Sequence, residues 1–221
     1  MPGDPLDDLI EKTCEADPPP PIEEDEPIQG APLSVDEIAR ERPRLADWQS
    51  TDAFITATNV LRTRCRASDF FNRPELKFLS EAYVLAEFVR LYKVDAVRLA
   101  RADEQWPDGM VKSSGKEHNV EVTSTQGGRS LRKEYRTVSK PSPDPVDNWI
   151  ARADSIPKYL DDAIRRKRDK RYSRPCWLVL YLNITEWDIR QSETEQMIAN
   201  TKTRYANAFE AIFVLWKRRL Y

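Results

Sequence analysis

Trp106 to Thr125 reads WPDGMVKSSGKEHNVEVTST, and the fold turns on this stretch. GMVKSS (109–114) and HNVEVTST (118–125) are short alternating segments, and a turn at Gly115 and Lys116 joins them as a hairpin. Just upstream, VDAVRLA (94–100) alternates in the same way and predicts a third strand. It is preceded by helical periodicity over 74–92, with Pro74 at the first position, where a missing N–H costs nothing. Downstream, a polar loop rich in Gly, Ser and Pro covers about 126–146. Helical periodicity then runs over 146–171, interrupted near Pro157. CWLVLYLNI (176–184) is a continuous apolar run, the mark of a strand buried on both faces. Two further helical stretches are expected, over 190–203 and 204–219. Far upstream, SVDEIARERP (34–43) predicts a short helix, with Ser34 and Glu37 forming a capping box. The order is helix, three strands, helix, buried strand, helix. It predicts one α/β domain over 34–221, with helices on both faces of a mixed sheet.

Ahead of the domain, residues 1–33 hold eight of the sixteen prolines and ten acidic residues against one lysine. Nothing in them is periodic, so they read as a disordered acidic tail. Subtracting that tail from the net charge of −2 leaves a body of +7, compatible with a polyanionic partner. No run approaches the roughly 18 apolar residues of a membrane helix, and MPGDPLDDLIEK lacks the pattern of a signal peptide. A cytoplasmic protein with no membrane association is expected. Cys14, Cys65 and Cys176 are odd in number and far apart, which suggests neither a disulfide framework nor a zinc cluster. With His118 the single histidine, triad chemistry would rest on one residue.

Three carboxylates stand out. Glu81 falls on the helical stripe of Phe78, Ala82, Leu85, Phe88, Val89 and Tyr92, whereas Glu87 points to the opposite side. A carboxylate on a core-facing stripe must be paired, hydrogen-bonded or metal-bound. Asp108 opens the second strand within Pro-Asp-Gly, otherwise a turn signature. Glu121 shares a strand face with Thr123, while Val120 and Val122 share the other. Glu121 therefore sits in the middle of a small sheet.

Together these acids resemble the PD-(D/E)XK nuclease superfamily, in which a Pro-Asp opens one hairpin strand, a Glu-x-Lys lies on the next, and a preceding helix often adds a Glu. Pro107-Asp108, Glu121 thirteen positions after the Asp, and Glu81 match in order and spacing over about half the chain. The resemblance implies a restriction-endonuclease-like fold with a central sheet of about four strands and a core over about 70–190. It also implies metal-dependent phosphodiester hydrolysis, with Asp108, Glu121 and Glu81 holding Mg²⁺ (or Mn²⁺) through hard oxygen ligands.

The family lysine is replaced by Thr123, which cannot supply a cation. Leu160, Ile164 and Lys167 follow i, i+4, i+7 spacing, so Lys167 lies on a core-facing stripe; some members of the superfamily take the lysine from the following helix, so the resemblance makes Lys167 the candidate substitute, the alternative being a side chain that snorkels to solvent. Thr123 and Gln126 are supporting candidates; Gln126 with Tyr135 resembles a Gln-to-Tyr motif of some nucleases in the superfamily. Arg165, Arg166, Arg168, Lys170 and Arg171 would contact nucleic acid backbone, DNA above all, without reading sequence.

Two other readings are carried forward. In one the chain is a degenerate nuclease-fold module that binds nucleic acid or a protein without cutting. In the other it is an interaction module in which the acidic tail and the amphipathic C-terminal segment make the contacts, with Phe209, Ile212, Phe213 and Trp216 exposed. A homodimer or a protein partner is compatible with each.

Overall fold

The chain pairs its strands in the order in which it makes them. The computed structural model describes residues 28–66, 69–125, 146–170, 172, 174–184 and 190–221. It begins with helix α1 (Val35–Leu45) and α2 (Thr51–Arg62), followed by a helical turn, Asp69–Asn72, and a 3₁₀ turn, Pro74–Leu76. Then come α3 (Lys77–Leu91), strands β1 (Ala96–Leu99), β2 (Gly109–Ser113) and β3 (Lys116–Ser124), and α4 (Val146–Arg168). The chain closes with β4 (Trp177–Tyr181), α5 (Gln191–Arg204), β5 (Ala211–Trp216) and β6 (Arg219–Leu220). Adjacent strands run antiparallel from β1 to β3, parallel from β3 to β5, and antiparallel again at β6. The described residues thus contain a mixed sheet of six strands.

The capping box forms as expected. Ser34 Oγ accepts the Glu37 N–H at 3.2 Å, and Glu37 Oε2 accepts the Ser34 N–H at 3.0 Å. The backbone bond to Ser34, with Arg64 alongside, holds the Glu37 carboxyl down to about 2. Residues 28–33 of the expected tail pack on the domain: Gln29 N–H donates to Thr63 O at 2.7 Å, and Leu33 is buried. Residues 1–27 lie outside the described residues.

Each face of the sheet has its own apolar layer. Val120, Val122, Trp177 and Val179 pack with Phe78, Leu85 and Phe88 of α3. On the other face Leu178, Leu180, Ile212 and Val214 pack with Ile156, Leu160 and Ile164 of α4 and with Ile198 of α5. β4 supplies both layers from alternate residues, which is why its sequence is apolar without a break. At the start of β2, a Cβ on Gly109 would lie 2.7 Å from the buried Leu85 Cδ2 and 3.0 Å from Arg98 O. Glycine after Asp108 therefore lets α3 lie close on the sheet.

Several expectations are corrected. The expected helix over 204–219 is instead the hairpin of β5 and β6, which raises the strand number from about four to six. AIFVLW is a short continuous apolar run, and periodicity alone does not separate a buried strand from a buried helix. Its residues alternate between layers, Phe213 and Leu215 facing α3, Ile212 and Val214 facing α4. An interaction module exposing the C-terminal segment is thereby ruled out, since Phe209 and Ile212 are each 7% exposed and Trp216 1%, while Phe213 packs against the first layer. α4 runs without a break through Pro157. The β2–β3 turn centres one residue earlier than expected, on Ser114 (φ 52°) and Gly115 (φ 75°), the two positive φ values of a type I′ hairpin. α2, absent from the sequence reading, buries Phe54, Thr58 and Leu61. Because α3 lies between α2 and the sheet, its Val84 and Ala86 are buried too, and Glu87 is only 14% exposed, paired with Arg90.

The β5–β6 turn is made by Lys217 (φ 48°) and Arg218 (φ 59°), left-handed conformations without glycine. Arg218→Gly is expected to raise stability by about 1 kcal/mol, because the left-handed region costs a residue with a Cβ roughly 1–2 kcal/mol. A urea midpoint shifted upward with an unchanged slope is the expected readout. Among the described residues no helix is long and apolar enough to cross a membrane.

Candidate functional site

Antiparallel register brings the first two acids together. Gly109 pairs with Val120, so Asp108, one residue before the strand, stands opposite Glu121. Its Oδ2 accepts the Val122 N–H at 2.8 Å, tying the carboxylate to β3 beside Glu121. Because Val120 and Val122 point into the α3 layer, Glu121 points the other way, toward α4, and is 2% exposed. Burying a carboxylate so deeply requires partners.

Lys167, in the last turn of α4, supplies the charge. Leu160 and Ile164 of its stripe are fully buried in the α4 layer, which leaves Lys167 beside Glu121 with 13% of its side chain exposed. Its Nζ donates to Glu121 Oε2 at 2.5 Å and to Asp108 Oδ2 at 3.1 Å. Tyr172 donates its hydroxyl to the same Glu121 Oε2 at 2.8 Å, and its ring stacks on Trp106 with centroids 5.5 Å apart. Neither aromatic residue was singled out in the sequence; the only signal was the position of Trp106 immediately before Pro107-Asp108.

The fourth residue stands at the border. Glu81 accepts from Lys77 Nζ at 2.5 Å. It feels Asp108 electrostatically, but it does not share in the Lys167 bonds. Thus Asp108, Glu121 and Lys167 meet directly, whereas Glu81 approaches from α3. Among the described residues no three acid, histidine or cysteine side chains are grouped closely enough to hold an ion as they stand.

Burial, and then the neighbouring Asp108, push the Glu121 carboxyl above the ordinary glutamate range, against the pull of Lys167 and Tyr172. The same two causes raise Glu81. Burial alone would lower Lys167, but Asp108 and Glu121 together outweigh it, and its pKa rises. Burial and the bond to Glu121 raise the Tyr172 phenol, so it stays a donor. Lys167 is accordingly a fixed cation and cannot serve as a base near neutral pH.

The donor set suits a hard divalent cation. Asp108 and Glu121 already converge on one positive nitrogen, and Mg²⁺ commonly takes one or two carboxylates and completes its shell with water and substrate phosphate. Thr123 follows Glu121 on the same strand and is half-buried. Arg165, Arg166, Arg168 and Lys170 are exposed at the end of α4. Two of them are partly neutralised, Arg165 by Asp162 at 2.5 Å and Arg168 by Asp169 at 2.8 Å. Gln126, Tyr135 and Arg171 lie outside the described residues.

Tyr172→Phe removes one hydrogen bond to a buried carboxylate without changing the ring stack. The expected result is a loss of about 10- to 100-fold in whatever activity depends on Glu121, the range for groups that orient a ligand, with a melting temperature near that of the parent. Comparison with known proteins matches no family profile, no curated protein and no solved structure.

Proposed function

We propose that this chain is a metal-dependent nuclease that hydrolyses phosphodiester bonds of DNA on a restriction-endonuclease-like core formed by α3, β1 to β3, α4 and β4. On this reading β5 and β6 extend the core sheet, and Lys167 of α4 replaces the lysine missing at Thr123. The observation that carries it is the single ammonium of Lys167 bonded to both Asp108 and Glu121.

Asp108 and Glu121 would hold Mg²⁺ or Mn²⁺, which when bound lowers the pKa of a coordinated water and offsets charge on the phosphate. The chain's own groups do the rest. Tyr172 and the Val122 N–H fix the two carboxylates before substrate arrives, so little reorganisation is left for the reaction itself. Lys167, always charged, donates to a non-bridging phosphate oxygen and stabilises the negative charge of the transition state. Glu81, at the border of the site and bonded to Lys77, would complete the shell of the ion. The exposed basic end of α4 would hold the backbone on either side of the reacting phosphate.

The test is incubation of labelled single- and double-stranded DNA with the purified chain in Mg²⁺ or Mn²⁺, beside EDTA. Metal-dependent cutting is the expected result. Binding with no cutting under any metal would move the reading to a non-catalytic nucleic-acid-binding module.

A further inference from the structure

A cleft of about 460 Å³ is lined by Arg168, Tyr172, Arg174, Cys176, Asn207 and Glu210 among others. Tyr172 forms one wall of it and also bonds Glu121, which links the cleft to the acid cluster. Its other walls come from the ends of the chain segments that lead into β4 and β5, joined where Glu210 N–H donates to Cys176 O at 3.0 Å.

Two charged groups of the cleft are held in place. The Arg168 guanidinium lies over the Tyr205 ring at 5.7 Å and is bonded to Asp169. The Glu210 carboxylate is 3.1 Å from His118 Nδ1, and His118 in turn is stacked on Trp177. Arg174 and Asn207 are exposed.

We propose that this cleft seats one unpaired nucleotide of the substrate strand next to the scissile bond, an inference that rests on the nuclease reading. Arg168 and Arg174 take its phosphate, while Asn207 and Glu210 present donors and acceptors to the base edge. The volume lies within the roughly 300–1,000 Å³ of small-ligand sites. A duplex, whose major groove alone is about 12 Å wide, is read over a broad surface and does not enter such a site. Asp169 partly neutralises Arg168, and Glu210 adds a second negative charge to the lining. The cleft is therefore not a general trap for polyanions, and base contacts add to what the phosphate supplies. The substrate class is single-stranded DNA, or a duplex with a frayed or flipped nucleotide.

The experiment is fluorescence anisotropy with the full chain in EDTA, using a labelled mixed-sequence 12-mer alone and as a blunt duplex. The single strand is expected to bind about tenfold more tightly than the duplex. Arg174→Ala should weaken single-strand binding about tenfold and reduce the slope of log K against log salt by about 0.7, the value for one lost phosphate contact on a single strand. Glu210→Gln should tighten binding several-fold by removing a like charge, a gain that a damaged fold would not produce. Equal binding of strand and duplex, or unchanged binding by both variants, would overturn the proposal. Metal-dependent cleavage that survives while the variants bind as the parent does would end the cleft and leave the nuclease reading. Binding that responds to the variants without any cleavage would end the nuclease reading and leave the cleft.

Discussion

Lys167→Met is expected to destabilise the fold by about 3–5 kcal/mol at pH 7, the cost of removing one partner from a buried ion pair. The ammonium sits between Asp108 and Glu121, and the Glu121 side chain is only 3% exposed. Without it two carboxylates face each other in a poorly solvated place. The pH dependence follows from the direction of the Glu121 shift. Its folded pKa is raised, so the protonated form favours the fold; that contribution is fully present below the unfolded value and is lost as pH rises through the folded one. Removing the lysine raises the folded value further and widens the window. Lys167→Met should therefore regain stability as pH falls from 7 toward the ordinary glutamate range, while the parent gains less. Adding Glu121→Gln should restore much of the loss at pH 7, since a neutral amide needs no cation. Urea unfolding of both single variants and the double measures the coupling, expected within about 0.5–3 kcal/mol for residues in contact. A coupling near zero would mean that the ammonium and the carboxylate are not partners.

The second large effect is on turnover. Asp108→Asn and Glu121→Gln keep the size and most of the hydrogen-bonding geometry of the parent side chains but remove the charge. Each is expected to lower metal-dependent cleavage by about 10²–10³-fold, the range for loss of one preorganised electrostatic group. On the proposed reading the two carboxylates act on one ion, so the double variant should lose little more than either single one, as residues that act as a unit do. Multiplying losses in the double variant would instead assign the two acids separate roles. Glu81→Gln should fall less, since Glu81 is bonded to Lys77 and stands at the border of the site.

Much of the site was readable because a strand alternates. Once Val120 and Val122 are assigned to the core, Glu121 must face the other way; a turn on Gly115 and Lys116 would set Asp108 opposite Thr123, and it is the turn on Ser114 and Gly115 that brings it opposite Glu121. Lys167 follows from helical spacing with Leu160 and Ile164. What could not be read depended on tertiary context. AIFVLW fits a buried helix as well as a buried strand, and Lys217 and Arg218 carry no turn signature although they make the turn. Glu87 looked outward on a helical wheel because nothing in its own segment announces α2 packed behind α3. Tyr172 lies in an irregular segment with no period to aim it. Glu81 was placed on the correct helix, but its bond to Lys77, one turn earlier, keeps it at the edge of the acid cluster.

The most direct test compares the parent with Asp108→Ala/Glu121→Ala, purified side by side and incubated with labelled single-stranded DNA in Mn²⁺. Cleavage by the parent that EDTA abolishes and the double variant lacks, with the variant still folded, is the expected result. Cleavage retained by the double variant, or absent from the parent although it binds the strand, would contradict it.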